Sequence, residues 1–278
     1  MRSLITALVL YYVFTKIDFS NIYMQLLKVD LRWLALAVLV FNISQIVSAV
    51  RLNQYFKSIN LNLKESYNLA LYYVGMFYNL FLPGGIGGDG YKIYHLHKRH
   101  HIKVSDLFTA SVLDRISGLI ALLFLITISI NFSSFAGLFK GLEFFSVAGS
   151  IVVFTIYLFV VKKWFAIYVN VLCSTNILSL VVQLIQIASA TLVILSLNVH
   201  SGFVDYLTLF LISSIVVVLP VTVSGVGARE LTFVYGFGML GMDVYTGIAF
   251  AFIFFNITAV SSLIGALFLK SPEKYASA

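Results

Sequence analysis

The chain has 278 residues, of which 60% are hydrophobic and 10% charged, with a mean hydropathy of +0.99. Soluble domains are about half apolar and roughly a quarter charged, so this composition excludes a soluble globular enzyme, a disordered chain and a disulfide scaffold. The 18 Lys and Arg against 11 Asp and Glu leave a formal charge of +7, which in so apolar a chain points to anionic lipid, not nucleic acid. Cys173 is the sole cysteine, so no intrachain disulfide can form.

A helix needs ~20 mostly apolar residues to cross a bilayer. The chain-order reading starts at 3–15, a short apolar run after Arg2. It resembles a signal-peptide core, but no small-x-small cleavage site follows, which predicts a retained, short first helix. Residues 33–50 predict a full span ending at Arg51, placed there as an interfacial anchor. Residues 67–82 are apolar and then run into Leu82-Pro83-Gly84-Gly85-Ile86-Gly87-Gly88-Asp89-Gly90. Spans follow at 116–139 and 144–161, the first preceded by Asp114-Arg115 within a helical pattern that starts at Asp106. The charge-free stretch 164–204 is too long for one span. Its most apolar part, Ile177–Leu197, is the predicted helix, and 164–176 either lies at the interface or extends that helix. Residues 206–219 run into a second break, Leu219-Pro220-Val221-Thr222-Val223-Ser224-Gly225-Val226-Gly227-Ala228-Arg229-Glu230. The last span is 244–269 and contains Asn256.

Two of the three prolines sit in the two Leu-Pro steps, and five of the 18 glycines fall within 84–90. Pro stops a helix and Gly frees the backbone. Such breaks are tolerated at membrane depth only where the backbone is buried or lines a wet cavity. Leu82 and Leu219 are 137 residues apart, and the same offset carries Asp106 to 243, where the last span begins. The pattern predicts a repeat of helix, broken segment, helix, with units at about 31–130 and 168–269 inside one transmembrane domain, 1–278.

The positive-inside rule orients the repeat. With both broken segments re-entrant and the termini cytoplasmic, most basic residues face inward, including Lys92, Lys98, Arg99, Lys103, Lys162 and Lys163. Lys16, Lys28, Arg32, Lys140 and Arg229 then face outward, and the two units have opposite topology. Were both segments to cross fully, the basic stretch 92–103 would lie outside, against the rule. Paired broken segments in inverted repeats point to a central transport site.

Chemistry-bearing residues concentrate at the breaks. Unhindered N–H groups at Gly84, Gly85, Gly87 and Gly88, beside Asp89 and ahead of a helix start, suit a phosphate. The competing reading is a tight turn. Arg115 lies within a span, where a charge costs roughly 2.5–3.5 kcal/mol, so it faces the bundle interior, a hydrated cavity or the interface. It suits bidentate phosphate contact, or pairs structurally with Asp114. Ser224, Gly225, Gly227 and Arg229 form the matching set, with Glu230 either neutralising Arg229 or titrating. Pro83 and Pro220 set the breaks, Asn79 caps or satisfies a freed backbone group, and Asn256 is read as a helix–helix hydrogen bond. His95, His97, His100 and His101 lack a carboxylate or Cys at ligand spacing, so no metal and no cofactor is assigned.

The three motifs 82–92, Asp114-Arg115 and 219–230 together resemble the transmembrane region of the lysylphosphatidylglycerol synthase/flippase family. The resemblance covers nearly the whole chain. It implies a lipid-translocating module in the cytoplasmic membrane, with a phosphate-bearing lipid as partner. The chain reaches Ala278 soon after its last span, so the resemblance is not expected to extend to a soluble aminoacyl-transfer domain. It also implies a lipid-modifying or glycosyltransferase partner, and polyprenyl-phosphate or glycolipid substrates. An arginine is common in the family near the position of Asn256.

The expectation is an all-α polytopic membrane bundle with two broken or re-entrant segments in an inverted repeat. Its expected function is translocation of an anionic or zwitterionic phospholipid or polyprenyl-phosphate-linked lipid between leaflets. The alternatives are a membrane enzyme, with Asp89, Asp114 or Glu230 as its only candidate acids, and an accessory scaffold for lipid aminoacylation or glycosyl transfer.

Overall fold

The computed structural model describes residues 19–82, 87–138, 141–218 and 227–269. The expected first helix at 3–15 lies outside the described residues, as do Pro83, Gly84, Gly85, Pro220, Ser224 and Gly225. No strand occurs among the described residues. The helices are α1 (Phe19–Leu27), α2 (Leu31–Ser58), α3 (Glu65–Phe81), α4 (Gly87–His100), α5 (Val104–Phe132), the single turn α6 (Phe135–Leu138), α7 (Leu142–Trp164), α8 (Val169–Ser196), α9 (Phe203–Val218), α10 (Ala228–Leu240) and α11 (Val244–Leu263). Short 3₁₀ turns at Ala166–Tyr168 and Ile264–Phe268 precede α8 and extend α11.

Five helical segments are long and apolar enough to cross a membrane: Leu31–Ser58, Val104–Phe132, Phe144–Trp164, Ala166–Ser196 and Val244–Phe268. The fourth settles the 164–204 stretch, because the helix starts at Val169 and not at Ile177. The second predicted span also changes. It continues past Arg51 to Ser58, because Arg51 is paired inside the bundle and does not need to end the helix in water.

At the centre α2 and α8 run antiparallel along their whole length. The Ser189 hydroxyl donates to the Ala37 carbonyl (2.9 Å) at one end, and the Tyr55 hydroxyl donates to Thr175 Oγ1 (3.0 Å) at the other. Tyr168 donates to the Asp106 carbonyl (3.4 Å), so α5 starts at the Tyr55 end. At the opposite end the Asp30 N–H donates to the Ser196 carbonyl (2.9 Å), and Asp205 accepts from both the N–H and the hydroxyl of Ser134.

Four shorter helices, α3, α4, α9 and α10, form two antiparallel hairpins. In the first, Tyr67 near the start of α3 meets His95 near the end of α4, its hydroxyl 2.9 Å from Nε2, while Tyr78 lies against Tyr91 (ring centroids 4.5 Å apart). A Cβ on Gly88 would fall 1.9 Å from the Gly75 carbonyl oxygen, so the backbones touch where only glycine fits. In the second hairpin Tyr206 of α9 packs edge-on against Phe237 of α10 (4.6 Å), and Phe210 sits near Arg229. The first hairpin opens at the Tyr55 end, where Lys57 pairs with Glu65 (3.0 Å); the second opens at the Asp205 end. At 17, 14, 16 and 13 residues, none of these four helices reaches the ~20 residues of a full crossing. The core beside the second hairpin is aromatic: Phe210, Phe233, Phe237, Phe250 and Phe254 interlock at 4.6–6.3 Å between centroids, largely edge-to-face.

Candidate functional site

Adjacent residues on a helix point about 100° apart. Asp114 and Arg115 therefore do not pair with each other, against one of the two sequence readings, and each reaches a different helix. Asp114 turns to α2: Arg51 Nε and Nη2 contact its two carboxylate oxygens at 2.7 and 3.1 Å. Arg51 Nη1 donates to Ser179 Oγ of α8 (3.0 Å), whose hydroxyl donates to Ser117 (3.1 Å). Arg51 is 6% exposed and is no interfacial anchor, because this fork fixes α2, α5 and α8 at one point. Gly118 leaves it room; a Cβ there would stand 3.3 Å from Nη1.

Arg115 turns instead to α4. Its Nε donates to Asp89 Oδ2 (2.5 Å), and Lys92 Nζ reaches the other oxygen, Oδ1 (2.7 Å). Lys92 is buried and packs along Gly75, with its ammonium 5.2 Å from the centroid of Tyr72. Lys92, expected on the cytoplasmic side, is thus buried against its neighbours: one carboxylate holds two cations, and the triad carries a net positive charge. The start of α4 is completed by Asn79, whose Oδ1 accepts the Gly88 N–H (2.8 Å), the capping role foreseen for it. Gly87, Gly88 and Asp89 occupy the first turn, beside the positive dipole end. The Arg115 side chain remains 34% exposed.

At the second break α10 starts on Gly227, whose φ of +84° favours glycine. Glu230 Oε2 accepts the Gly227 N–H (2.9 Å), so this carboxylate caps its own helix. Arg229 lies between two rings, its guanidinium carbon 5.0 Å from the centroid of Phe210 and 4.9 Å from that of Phe254. Its Nη1 is buried and makes no hydrogen bond among the described residues. All three acids considered for an enzyme are engaged, two in ion pairs and one as a cap.

Asn256 departs from expectation: it lies on an exposed face of α11, and its amide donates to the Phe252 carbonyl of the same helix (2.8 Å), not to a neighbouring one. His97 Nδ1 is 2.8 Å from the Ile102 carbonyl oxygen, and His95 stacks on Tyr91. Burial, with Arg99 beside it, pushes the His100 imidazole below its ordinary pKa. Among the described residues no three His, Cys, Asp or Glu side chains group closely enough to hold a metal.

Ser179, which sequence reading passed over, and Lys92, which it named only for its charge, carry much of this geometry. Lys92 was signalled by its i, i+3 spacing from Asp89, and Ser179 by the i, i+4 hydroxyl pair with Thr175 inside an apolar helix.

An all-helical bundle with several membrane-crossing segments and buried charge pairs between them is a multi-pass membrane protein. The family described as "Lysylphosphatidylglycerol synthase TM region" matches residues 1–265, and the chain belongs to it. A UPF0104 membrane protein of Pyrococcus horikoshii, PH1989, is 30% identical over 97 residues, 34% of this chain and 29% of that protein's own length. No solved structure matches.

Proposed function

We propose that the protein moves a lipid with an anionic or zwitterionic phosphate headgroup between leaflets. The observation that carries this reading is Arg229 Nη1, a buried cationic donor with no hydrogen-bond partner among the described residues. An unsatisfied charged donor in a membrane bundle is costly unless a ligand completes it. A phosphate oxygen matches a guanidinium edge whose faces are already covered by Phe210 and Phe254.

Three further features support the reading. The α2–α5 and α8–α11 units match in order at an offset of about 137 residues, and in length over their first three helices (28, 17 and 14 residues against 28, 16 and 13). Their central helices run antiparallel, and their hairpins open at opposite ends. We read this as an inverted repeat with two re-entrant hairpins, the arrangement expected around an alternating-access site. Arg115 and Arg229 are both half-buried, and we read them as the headgroup contacts of the two hairpins. The end carrying Lys57, Lys64, Lys98, Lys103 and Lys162 is then cytoplasmic by the positive-inside rule, in the cytoplasmic membrane. The lipid class and any glycosyltransferase or lipid-modifying partner follow from the family resemblance alone.

The test is lipid scrambling in proteoliposomes with fluorescent phosphatidylglycerol, lysyl-phosphatidylglycerol and a polyprenyl phosphate, using wild type and Arg115→Ala/Arg229→Ala. Headgroup-selective flipping, lost in the folded double variant, is expected. No flipping of any of the three by folded wild type would refute the proposal.

A further inference from the structure

Away from the hairpins, α7 packs on α5 and leaves a groove of about 630 Å³ between itself, α5 and α8. Ala121 and Phe124 line it from α5, Phe154 and Leu158 from α7, and Leu172 and Ile177 from α8. We propose that this groove seats one acyl chain of a resident anionic glycerophospholipid, with its phosphate on Lys162.

The groove has the depth of one leaflet. It extends along α7 from Lys162, beside the turn into α8, to Ser150. Those twelve residues span about 18 Å at a helical rise of about 1.5 Å. Half of a ~30 Å hydrocarbon core is about 15 Å. The Lys162 end is the interfacial end. Trp164 is exposed there, and Lys163 lays its ammonium 5.3 Å from the Trp164 centroid and 5.4 Å from that of Phe159. Lys163 is thereby occupied with aromatic faces. Lys162 lines the groove at this end, and among the described residues no acid pairs with it.

The walls suit hydrocarbon. The polar wall residues spend their donors within the protein: Asn176 donates to the Leu172 carbonyl (2.7 Å) and the Tyr157 hydroxyl (3.3 Å), Ser150 to the Val147 carbonyl (2.9 Å) and Thr155 to the Ile151 carbonyl (2.8 Å). The lining is therefore apolar with a single cation at one end, and that complementarity selects a lipid with a negative headgroup over a neutral one. Only 11% of the α7 span is buried within the protein, so bilayer lipid has direct access. The site is independent of lipid flipping and of Arg115 and Arg229.

The test uses the full chain in nanodiscs containing equal phosphatidylglycerol and phosphatidylcholine, each with a photoactivatable acyl chain. Lipid retained after extraction into mild detergent is counted by native mass spectrometry. We expect about fivefold preference for phosphatidylglycerol, the effect of one Lys at an anionic lipid surface. Adducts should map to the groove faces of α5, α7 and α8. Lys162→Gln should abolish the preference, and Ile177→Trp, which fills the groove, should lower retention of both lipids. Both residues are exposed, so both variants should fold, as thermal unfolding would show. Equal retention of the two lipids by wild type, an undiminished preference in Lys162→Gln, or adducts lying only outside the groove would overturn the proposal. So would protein–protein crosslinks showing a second copy seated there. Arg115→Ala/Arg229→Ala should leave retention unchanged, which separates failure here from failure of the transport reading.

Discussion

The two hairpins share a shape and differ in how they treat their cation. In the first, Arg115 and Lys92 are held by one carboxylate, Asp89, and the Arg115 side chain keeps contact with the surroundings. In the second, Arg229 has aromatic faces and a buried Nη1 without a partner among the described residues, while the adjacent carboxylate is committed to the helix start. The first site pairs two cations with one carboxylate; under the proposed function, the second takes its anion from outside the protein. The difference separates two jobs that a binding cation can have: holding the protein together, and holding something else.

The comparison can be broken most severely at Asp89. Asp89→Asn leaves buried Lys92 and half-buried Arg115 without their shared acid and should destabilise the protein by about 3 kcal/mol in detergent unfolding. It should also make the first hairpin resemble the second, raising its affinity for inorganic phosphate. The next largest effect concerns backbone contact. Gly88→Ala drives a Cβ onto the Gly75 carbonyl and should cost at least about 1–3 kcal/mol. Gly236→Ala meets only the end of the Leu209 side chain, which can move, and should cost less in the same assay. A smaller loss, about 1 kcal/mol, is expected for Glu230→Ala through the lost cap. Hydrogen exchange should show it as faster exchange confined to the start of α10.

The smallest effect is a pH dependence. The folded His100 binds its proton less readily than the unfolded chain does. Lowering the pH through about 6.5, the ordinary imidazole value, should therefore lower folded stability, with no gain above it. Thermal midpoints measured at pH 7.5 and 5.5 should differ slightly, and by less in His100→Gln.

The end of the first hairpin's leading helix was legible because Pro acts locally: α3 ends at Phe81, before Leu82-Pro83. Partners were not, because pairing is a property of facing helices and not of neighbours in sequence. Asp114-Arg115 reads as a pair, yet the helix turns the two residues to α2 and α4. Arg51 reads as a terminus because a charge usually ends a span, but a fork from Asp114 lets the helix pass through it. Lys92 reads as a cytoplasmic-side charge until Asp89, one turn earlier, is seen to bury it. The apolar groove at α7 left no mark in the sequence, since lipid-facing and groove-facing apolar residues look alike.

The central claim is that Arg229 exists to hold a lipid phosphate. Its most direct test is the rate of phosphatidylglycerol scrambling by wild type and Arg229→Gln, reconstituted side by side with folding verified. A lost charge-assisted contact of about 1.5–3 kcal/mol corresponds to roughly a 10- to 100-fold slower rate, and that drop is predicted. Scrambling by Arg229→Gln at the wild-type rate would contradict the account.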